Sequence, residues 1–221
     1  MGSVDQRAAA ERQTLWVLVT VSVWMTAWIA WGFIADPARY VERSLGLGGH
    51  LVDVAGWIWL PALAITALYA AYTLWVVPDA RRYVVRFDAL GLVAIWTAVV
   101  SGILEEVLFR HRLMDWLADL DLSVFTQVLV SGVVFGAAHA LWMLMARDWR
   151  VIVSVVASTT ALGLALAVLY LAADRSTLPA IAAHTGVNLI IEPGLIVAAC
   201  LMGARTHHED KETVEEHDGT P

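Results

Sequence analysis

The amino-acid sequence predicts an all-helical protein, a polytopic transmembrane bundle with about six spans. Of its 221 residues, 59% are hydrophobic and 16% are charged, and the mean hydropathy is +0.68. Apolar runs of roughly 20 residues, the length that crosses a bilayer as a helix, recur along the chain. The runs do not alternate polar and apolar residues, which favours helices over the strands of a membrane barrel. The composition excludes an ordinary soluble domain.

The predicted spans are the six apolar runs, at about 14–35, 51–77, 89–109, 122–145, 151–173 and 178–202. The first run is too long for the core of a signal peptide, so we expect a retained anchoring helix after a polar segment, residues 1–13. Residues 111–121 carry apolar side chains at helical spacing and predict a short interfacial helix. We therefore predict one membrane-embedded domain, residues 14–203, and a disordered acidic tail, residues 204–221.

The distribution of charge predicts location and partners. The net charge is −7, and its acidic excess is concentrated in the tail, which argues against binding of nucleic acid. With six spans, nine Lys and Arg residues fall on the side of the termini and five on the other side, so the termini are predicted to be cytoplasmic. Because the chain is compact, we expect an integral protein of a prokaryotic plasma membrane, with the lipid bilayer as its surroundings.

The third apolar run ends in two adjacent carboxylates and an arginine. Glu106 and Arg110 are four residues apart, so on a helix they stack on one face in the favourable order of acid before base. Glu105 is turned by about 100° from Glu106 and is free to face a cavity. Ionisable groups at membrane depth are costly, which makes all three residues functional candidates.

Two later runs each carry a histidine with a partner one helical turn away. Phe135 precedes His139 by four residues, and His184 precedes Asn188 by four. A carboxylate and an imidazole that share a water can act as general base and proton shuttle. A second histidine beside an amide supplies hydrogen-bond donors suited to an oxyanion. The set predicts a hydrolytic site for an amide bond.

Glu192 continues the face of His184 and Asn188 by a further four residues. Two interpretations stay open for it: it lines the same cavity, or it pairs with a basic group near the break expected at Pro193 and Gly194.

Three motifs together resemble those of a known family. The segments EEVLFR (105–110), FGAAH (135–139) and HTGVN (184–188) match the patterns EExxxR, FxxxH and HxxxN. In this respect the chain resembles the CPBP family, the CAAX-protease and bacteriocin-processing intramembrane glutamic proteases, also called the ABI family. The motifs occur in order, each in a predicted membrane helix, and the resemblance spans about 100 of the 221 residues.

The resemblance implies a role for each matching residue. Glu105 would be the general base that activates water, with His139 as its partner. His184 and Asn188 would form the oxyanion hole. The remaining matches, Glu106, Arg110 and Phe135, would hold the site together, orient the substrate or pack beneath it.

The resemblance also implies partners and the absence of a cofactor. The family mechanism needs no metal. Its substrates are membrane-associated proteins or peptides, such as prenylated CAAX tails, peptide precursors or C-terminal sorting tails, and the sequence does not choose among them.

Two other functions stay open. A zinc-dependent membrane hydrolase could use Glu105, Glu106, His139 and His184, although the sequence has no HExxH motif. A non-catalytic immunity or partner-binding membrane protein is the second alternative.

One expectation conflicts with the predicted spans. Glu105 falls near the end of its span, whereas His139, about 18 residues after Asp121, would lie roughly 27 Å along a straight helix, near the opposite membrane face. Either the fourth helix starts later than predicted, or the helices are staggered and tilted.

Overall fold

The computed structural model describes residues 3–37, 40–41, 54–84, 86–140 and 149–218, and these residues contain no β-strand. Their α-helices are α1 (Ser3–Ala35), α2 (Trp59–Val76), α3 (Ala89–Glu106), α4 (Leu113–Asp119), α5 (Val124–His139), α6 (Trp149–Ala172) and α7 (Leu178–Asp218). Two 3₁₀ segments, Gly56–Ile58 and Pro78–Tyr83, flank α2, and a π-helical turn, Val107–Arg112, joins α3 to α4. The all-helical fold class is confirmed.

Five stretches of the described chain are long and apolar enough to cross a membrane: Asp5–Ala35, Gly56–Val76, Ala89–Asp119, Ile152–Ala172 and Leu178–Gly203. A sixth apolar helix, α5, has 16 residues and is shorter than the roughly 20 that a perpendicular span requires. The predicted polytopic bundle is therefore confirmed, with five full-length candidate spans and one shorter helix. Residues 141–145, which the sequence assigns to the fourth span, lie outside the described residues.

Helix α7 lies at the centre of the bundle. It packs against α1, α2, α3 and the Pro78–Tyr83 segment. Half of the residues in the most apolar windows of α3 and α7 are buried inside the protein, against 17% for α1. These two interior helices carry the EExxxR and HxxxN motifs, so the candidate residues are placed inside the bundle and not on its lipid-facing surface.

Helices α5 and α6 approach each other closely because glycines face each other at their interface. A Cβ atom added to Gly163 of α6 would lie 3.0 Å from the Cα atom of Gly132 in α5. Small residues allow this backbone approach, which is the usual basis of helix packing in membranes. The interface holds α5, and with it His139, in a fixed position.

The start of α3 is fixed by a polar cluster outside the spans. Asp88 caps the helix by accepting a hydrogen bond from the Gly91 N–H at 3.0 Å. The Arg86 guanidinium bonds to Asp88 and, together with that N–H, holds the pKa of the Asp88 carboxyl below its usual value. Arg86 and the Tyr83 hydroxyl also donate to Glu11 of α1, and burial raises the pKa of Tyr83 to about 12. These bonds tie α1 to α3.

The interfacial helix predicted at 111–121 is helical over most of its length, but it is not a separate element. The π-helical turn joins it to α3, so that Ala89–Asp119 forms one continuous stretch. Met114 and Leu117 are buried, while Trp116 is exposed. π-helical turns are rare and occur frequently at functional sites, and this one contains Arg110.

Helix α7 differs from the sequence-based expectations at two points. It continues through Pro193 without ending. Gly194 there lies so close to the 3₁₀ segment that an added Cβ would be 2.6 Å from the Cα of Ala80, and such neighbouring structure allows proline within a membrane helix. The backbone of α7 also stays helical to Asp218, where a disordered tail is predicted, because residues 204–218 contain no glycine or proline to end the helix. The division of the chain at residues 13 and 203 stays a prediction.

Candidate active site

The structure brings Glu105 and His139 to the same level of the bundle. It thereby resolves the conflict between their predicted depths in the membrane. Glu105 lies midway along the continuous stretch Ala89–Asp119 and not at the end of a span. The 14 residues from Glu105 to Asp119 rise about 21 Å, and the 15 residues from Val124 to His139 rise about 22 Å. The chain runs from Glu105 to Asp119 in one direction and from Val124 to His139 back in the other. The two lengths are nearly equal, so His139 returns to the level of Glu105. The start of α5 at Val124 differs by only two residues from the predicted start near residue 122. The continuation of α3 beyond Glu105 therefore resolves the conflict.

Glu105 lies between two histidines. Its Oε2 atom is 3.7 Å from His139 Nε2 and 3.9 Å from His184 Nε2. The Glu105 side chain is 15% exposed, and its Oε2 atom is buried with no hydrogen-bond partner in the described part of the chain. Both separations exceed a direct hydrogen bond. A water that bonds to both groups of either pair would lie to one side of the line that joins them.

The orientation of His139 is set by its own helix. The carbonyl oxygen of Phe135 lies 2.8 Å from His139 Nδ1. A carbonyl only accepts, so the Nδ1–H donates, and in the neutral ring Nε2 keeps its lone pair. The Glu105 carboxylate and His139 Nε2 are then two acceptors that face each other, and the space between them suits a molecule with two donors, such as water.

Glu106 connects Arg110 to His184. The Glu106 Oε2 and Arg110 Nε atoms are 3.0 Å apart, and neither side chain is exposed. This is an ion contact without hydrogen-bond geometry, while Arg110 Nη2 donates to the carbonyl oxygen of Gly163 at 3.1 Å. The other carboxylate oxygen of Glu106 accepts from His184 Nδ1–H at 2.8 Å. The predicted contact of Glu106 with Arg110 is confirmed, and the same carboxylate also contacts His184.

Phe135 lies under both histidines and the arginine. Its ring centroid is 4.5 Å from that of His139 and 5.4 Å from that of His184. The Arg110 guanidinium carbon lies 4.6 Å from the same centroid, and Phe109 packs edge-on at 5.3 Å. Phe135 is fully buried, so it forms an apolar floor that excludes water from the Glu106–Arg110 side of the site.

Asn188 is held by a residue to which the sequence analysis assigned no role. Its Nδ2 atom donates to the Ser101 Oγ atom at 3.1 Å. An amide nitrogen carries two hydrogens, so this bond orients Asn188 and leaves the second N–H available. Ser101 lies one helical turn before Glu105, on the same face of α3, and this spacing was the only signal in the sequence.

The candidate residues open onto one cavity of about 520 Å³, which lies between the helices and is partly open to the outside. Its lining is mainly apolar and comes from α1, α2, α3, α6 and α7, from the residues 77–79 that follow α2, and from His139 of α5. The polar lining residues that concern the candidate site are Ser101, Glu105, His139, His184, Asn188 and Glu192. A largely apolar cavity of this volume with a few convergent polar groups is typical of a ligand or substrate site.

Across the described ranges, no group of three or more His, Cys, Asp or Glu side chains is arranged to hold a metal ion. His184 directs its Nδ1 atom to Glu106 and not to a shared centre.

The fold and the site define a class: an integral membrane protein of helices that encloses a carboxylate–histidine cluster facing a cavity between the helices. Comparison with family models matches residues 88–190 to the model described as "Rce1-like: Type II CAAX prenyl endopeptidase Rce1-like". The match covers slightly less than half of the chain, includes all three motifs and confirms the family resemblance. Comparisons with curated proteins and with solved structures found no match.

Proposed function

We propose that this protein is an intramembrane glutamic endopeptidase that hydrolyses a peptide bond near the C-terminus or membrane segment of a membrane-associated protein or peptide. The family match supports a CAAX-type protease in general. The observation that carries the glutamic mechanism is the position of Glu105, whose free carboxylate oxygen lies between the Nε2 atoms of His139 and His184 at the cavity.

In the first step, Glu105 and His139 activate a water. A water placed between Glu105 Oε2 and His139 Nε2 donates one hydrogen to each, and its oxygen lone pairs face the cavity. As the oxygen attacks the carbonyl carbon of the substrate, Glu105 takes the proton as general base. The Nδ1–H bond to the Phe135 carbonyl keeps His139 in the tautomer that can accept from this water.

In the same step, the developing oxyanion needs donors that are already in position. Asn188 supplies its second N–H, because Ser101 fixes the amide with the first. His184 supplies Nε2–H in its doubly protonated form, in which Nδ1–H donates to the Glu106 carboxylate. The Glu106–Arg110 pair therefore acts through His184: it supplies the negative partner of the imidazolium and fixes the ring.

In the second step, the tetrahedral intermediate collapses and the carbon–nitrogen bond breaks. The proton that Glu105 accepted passes to the leaving amine, either directly or through His139, which restores the carboxylate. The second hydrogen of the water stays on the attacking oxygen, so the products are a carboxylic acid and an amine, and the acid then releases that proton to become a carboxylate.

The proposed substrates are prenylated CAAX tails, peptide precursors or C-terminal sorting tails, in a prokaryotic plasma membrane with the termini of this protein in the cytoplasm. The cavity of about 520 Å³ and its apolar lining suit an extended apolar segment of chain.

The test is cleavage by the purified protein in liposomes. A panel of prenylated and unprenylated membrane-anchored peptides would be incubated with wild type and with Glu105→Gln, each with and without EDTA. We expect wild-type cleavage that persists in EDTA and falls by about 10²–10⁴-fold in Glu105→Gln, the usual contribution of a general base. Asp119→Asn, which removes an exposed carboxylate outside the cavity, is the matched control.

Other results would contradict the proposal in distinct ways. Loss of cleavage in EDTA, restored by zinc, would identify a zinc hydrolase. Equal activity of wild type and Glu105→Gln in a cellular assay would leave a non-catalytic immunity or partner-binding role.

A further inference from the structure

Glu192 is a carboxylate at the cavity that the proposed mechanism does not use. It lines the cavity two helical turns after His184 and one turn after Asn188. Its Oε2 atom is buried and has no hydrogen-bond partner among the residues that the structure describes. Of the two interpretations that the sequence left open, the structure selects the first, in which Glu192 lines the cavity.

The charges around the cavity are unbalanced. Glu105 and Glu192 both line it, whereas its described lining contains neither lysine nor arginine. Asp79 also lines it, but that side chain is half-exposed and lies 4.0 Å from Arg82. Arg110 is engaged with Glu106 and Gly163 and does not line the cavity. The Glu192 side chain is partly buried, and its buried Oε2 atom lacks a hydrogen-bond partner within the described ranges. A buried polar atom without a partner is costly, and a cationic group brought by a ligand would supply one.

We propose that Glu192 determines specificity by binding a protonated basic side chain of the substrate. This inference rests on the proposed function, because it places the basic residue relative to the scissile bond. Along α7, Glu192 lies about 6 Å from Asn188 and about 12 Å from His184. An extended peptide advances about 3.3 Å per residue, so the basic residue lies about two to four residues from the bond that is cut.

The experiment is a positional scan on a peptide that the wild-type protein cleaves. Lysine is placed in turn at each position within four residues of the scissile bond and is compared with norleucine, which has similar length and no charge. The measured quantity is the ratio of kcat/KM for the lysine and norleucine peptides. In wild type we expect a ratio of at least about 10 at one position two to four residues away, equivalent to about 1.4 kcal/mol.

Variants at position 192 test whether Glu192 causes the preference for lysine over norleucine. Glu192→Gln keeps the volume and loses the charge, so we expect the ratio to fall to about 1. Glu192→Asp keeps the charge and should retain part of the preference, and Asp119→Asn should retain all of it. Equal ratios for wild type and Glu192→Gln at every position would overturn the proposal while leaving the protease function intact.

A binding measurement separates this proposal from the cleavage reaction. The same peptides, carrying a fluorophore, are titrated onto Glu105→Gln protein with and without Glu192→Gln, and fluorescence anisotropy gives Kd. A preference for lysine that disappears with Glu192→Gln would support the cation site even if wild type cut no peptide in the panel. Absence of any lysine preference in binding would refute it.

Discussion

Replacing Arg110 with alanine should destabilise the protein and abolish its activity together. Arg110 is the largest fully buried side chain in the described part of the chain. Its removal takes the arginine away from the buried Glu106 carboxylate, whose other contact, the His184 ring 2.8 Å away, carries a positive charge only when it is doubly protonated. We therefore expect a loss of stability and, through His184, a loss of oxyanion binding.

The magnitude follows from the contacts that disappear. Breaking a buried ion pair by removing one partner costs about 3–5 kcal/mol. The hydrogen bond to the Gly163 carbonyl and the stacking on Phe135 are lost at the same time and move the expected value towards the upper end of that range. Such a loss is a large share of a typical free energy of unfolding of about 5–15 kcal/mol.

The assay is unfolding of purified protein in mixed micelles, with peptide cleavage measured on the same samples. Arg82→Ala is the matched control, because that side chain is 60% exposed and lies 4.0 Å from Asp79, so its loss should change stability by no more than about 1 kcal/mol. The double variant Arg110→Met with Glu106→Gln removes both buried charges and should recover part of the stability of Arg110→Met alone. It should remain inactive, because His184 then has no carboxylate partner.

Equal free energies of unfolding for Arg110→Ala and Arg82→Ala would refute the assignment of the pair as a buried structural contact. A stable double variant with wild-type cleavage would refute the role of Glu106 in orienting His184.

Two further predictions concern neighbours of the site. Ser101→Ala should lower kcat by about tenfold with a smaller change in KM, because the Asn188 amide loses the bond that orients it. The control is Thr159→Val at another cavity position, where the hydroxyl bonds to the Val155 carbonyl. An equal loss of kcat in both variants would contradict this reason. Gly163→Ala should destabilise the protein by about 1–3 kcal/mol, because the added Cβ would press on Gly132. Gly56→Ala, with nothing within 4 Å of its added Cβ, should have little effect in the same unfolding measurement, and equal effects of the two would argue against tight packing of α5 on α6.

The sequence anticipated those features that depend on neighbours along the chain. The four-residue spacing of Glu106 and Arg110 predicted their contact, because side chains one turn apart on a helix are adjacent wherever the helix lies. The same four-residue spacing places Ser101 and Glu105 on one face of α3, although the sequence analysis assigned Ser101 no role. Length and hydropathy predicted the helical bundle, since backbone groups in lipid must be hydrogen-bonded within their own segment.

The boundaries of the spans were less predictable. A hydropathy pattern shows where apolar runs lie, but it does not show whether two neighbouring helices are joined into one. The interfacial helix predicted at 111–121 is the continuation of α3 through a π-helical turn, and this continuity moves Glu105 from the end of a span to its middle. Pro193 was expected to break α7, but the packing of Gly194 on Ala80 accommodates a continuous helix.

The sequence by itself therefore determined the composition of the site and its local pairs. It showed which helices carry Glu105, His139, His184 and Asn188, and which residue lies one turn from each. Only the tertiary structure decided that Glu106 contacts His184, 78 residues away, and that Glu192 shares the cavity with Glu105 without a basic partner among its described lining. The physical reason is that helical periodicity fixes directions within about one turn. Contacts between helices depend on how closely their surfaces approach, and here that distance is set by glycines and by a π-helical turn that no periodic pattern reveals.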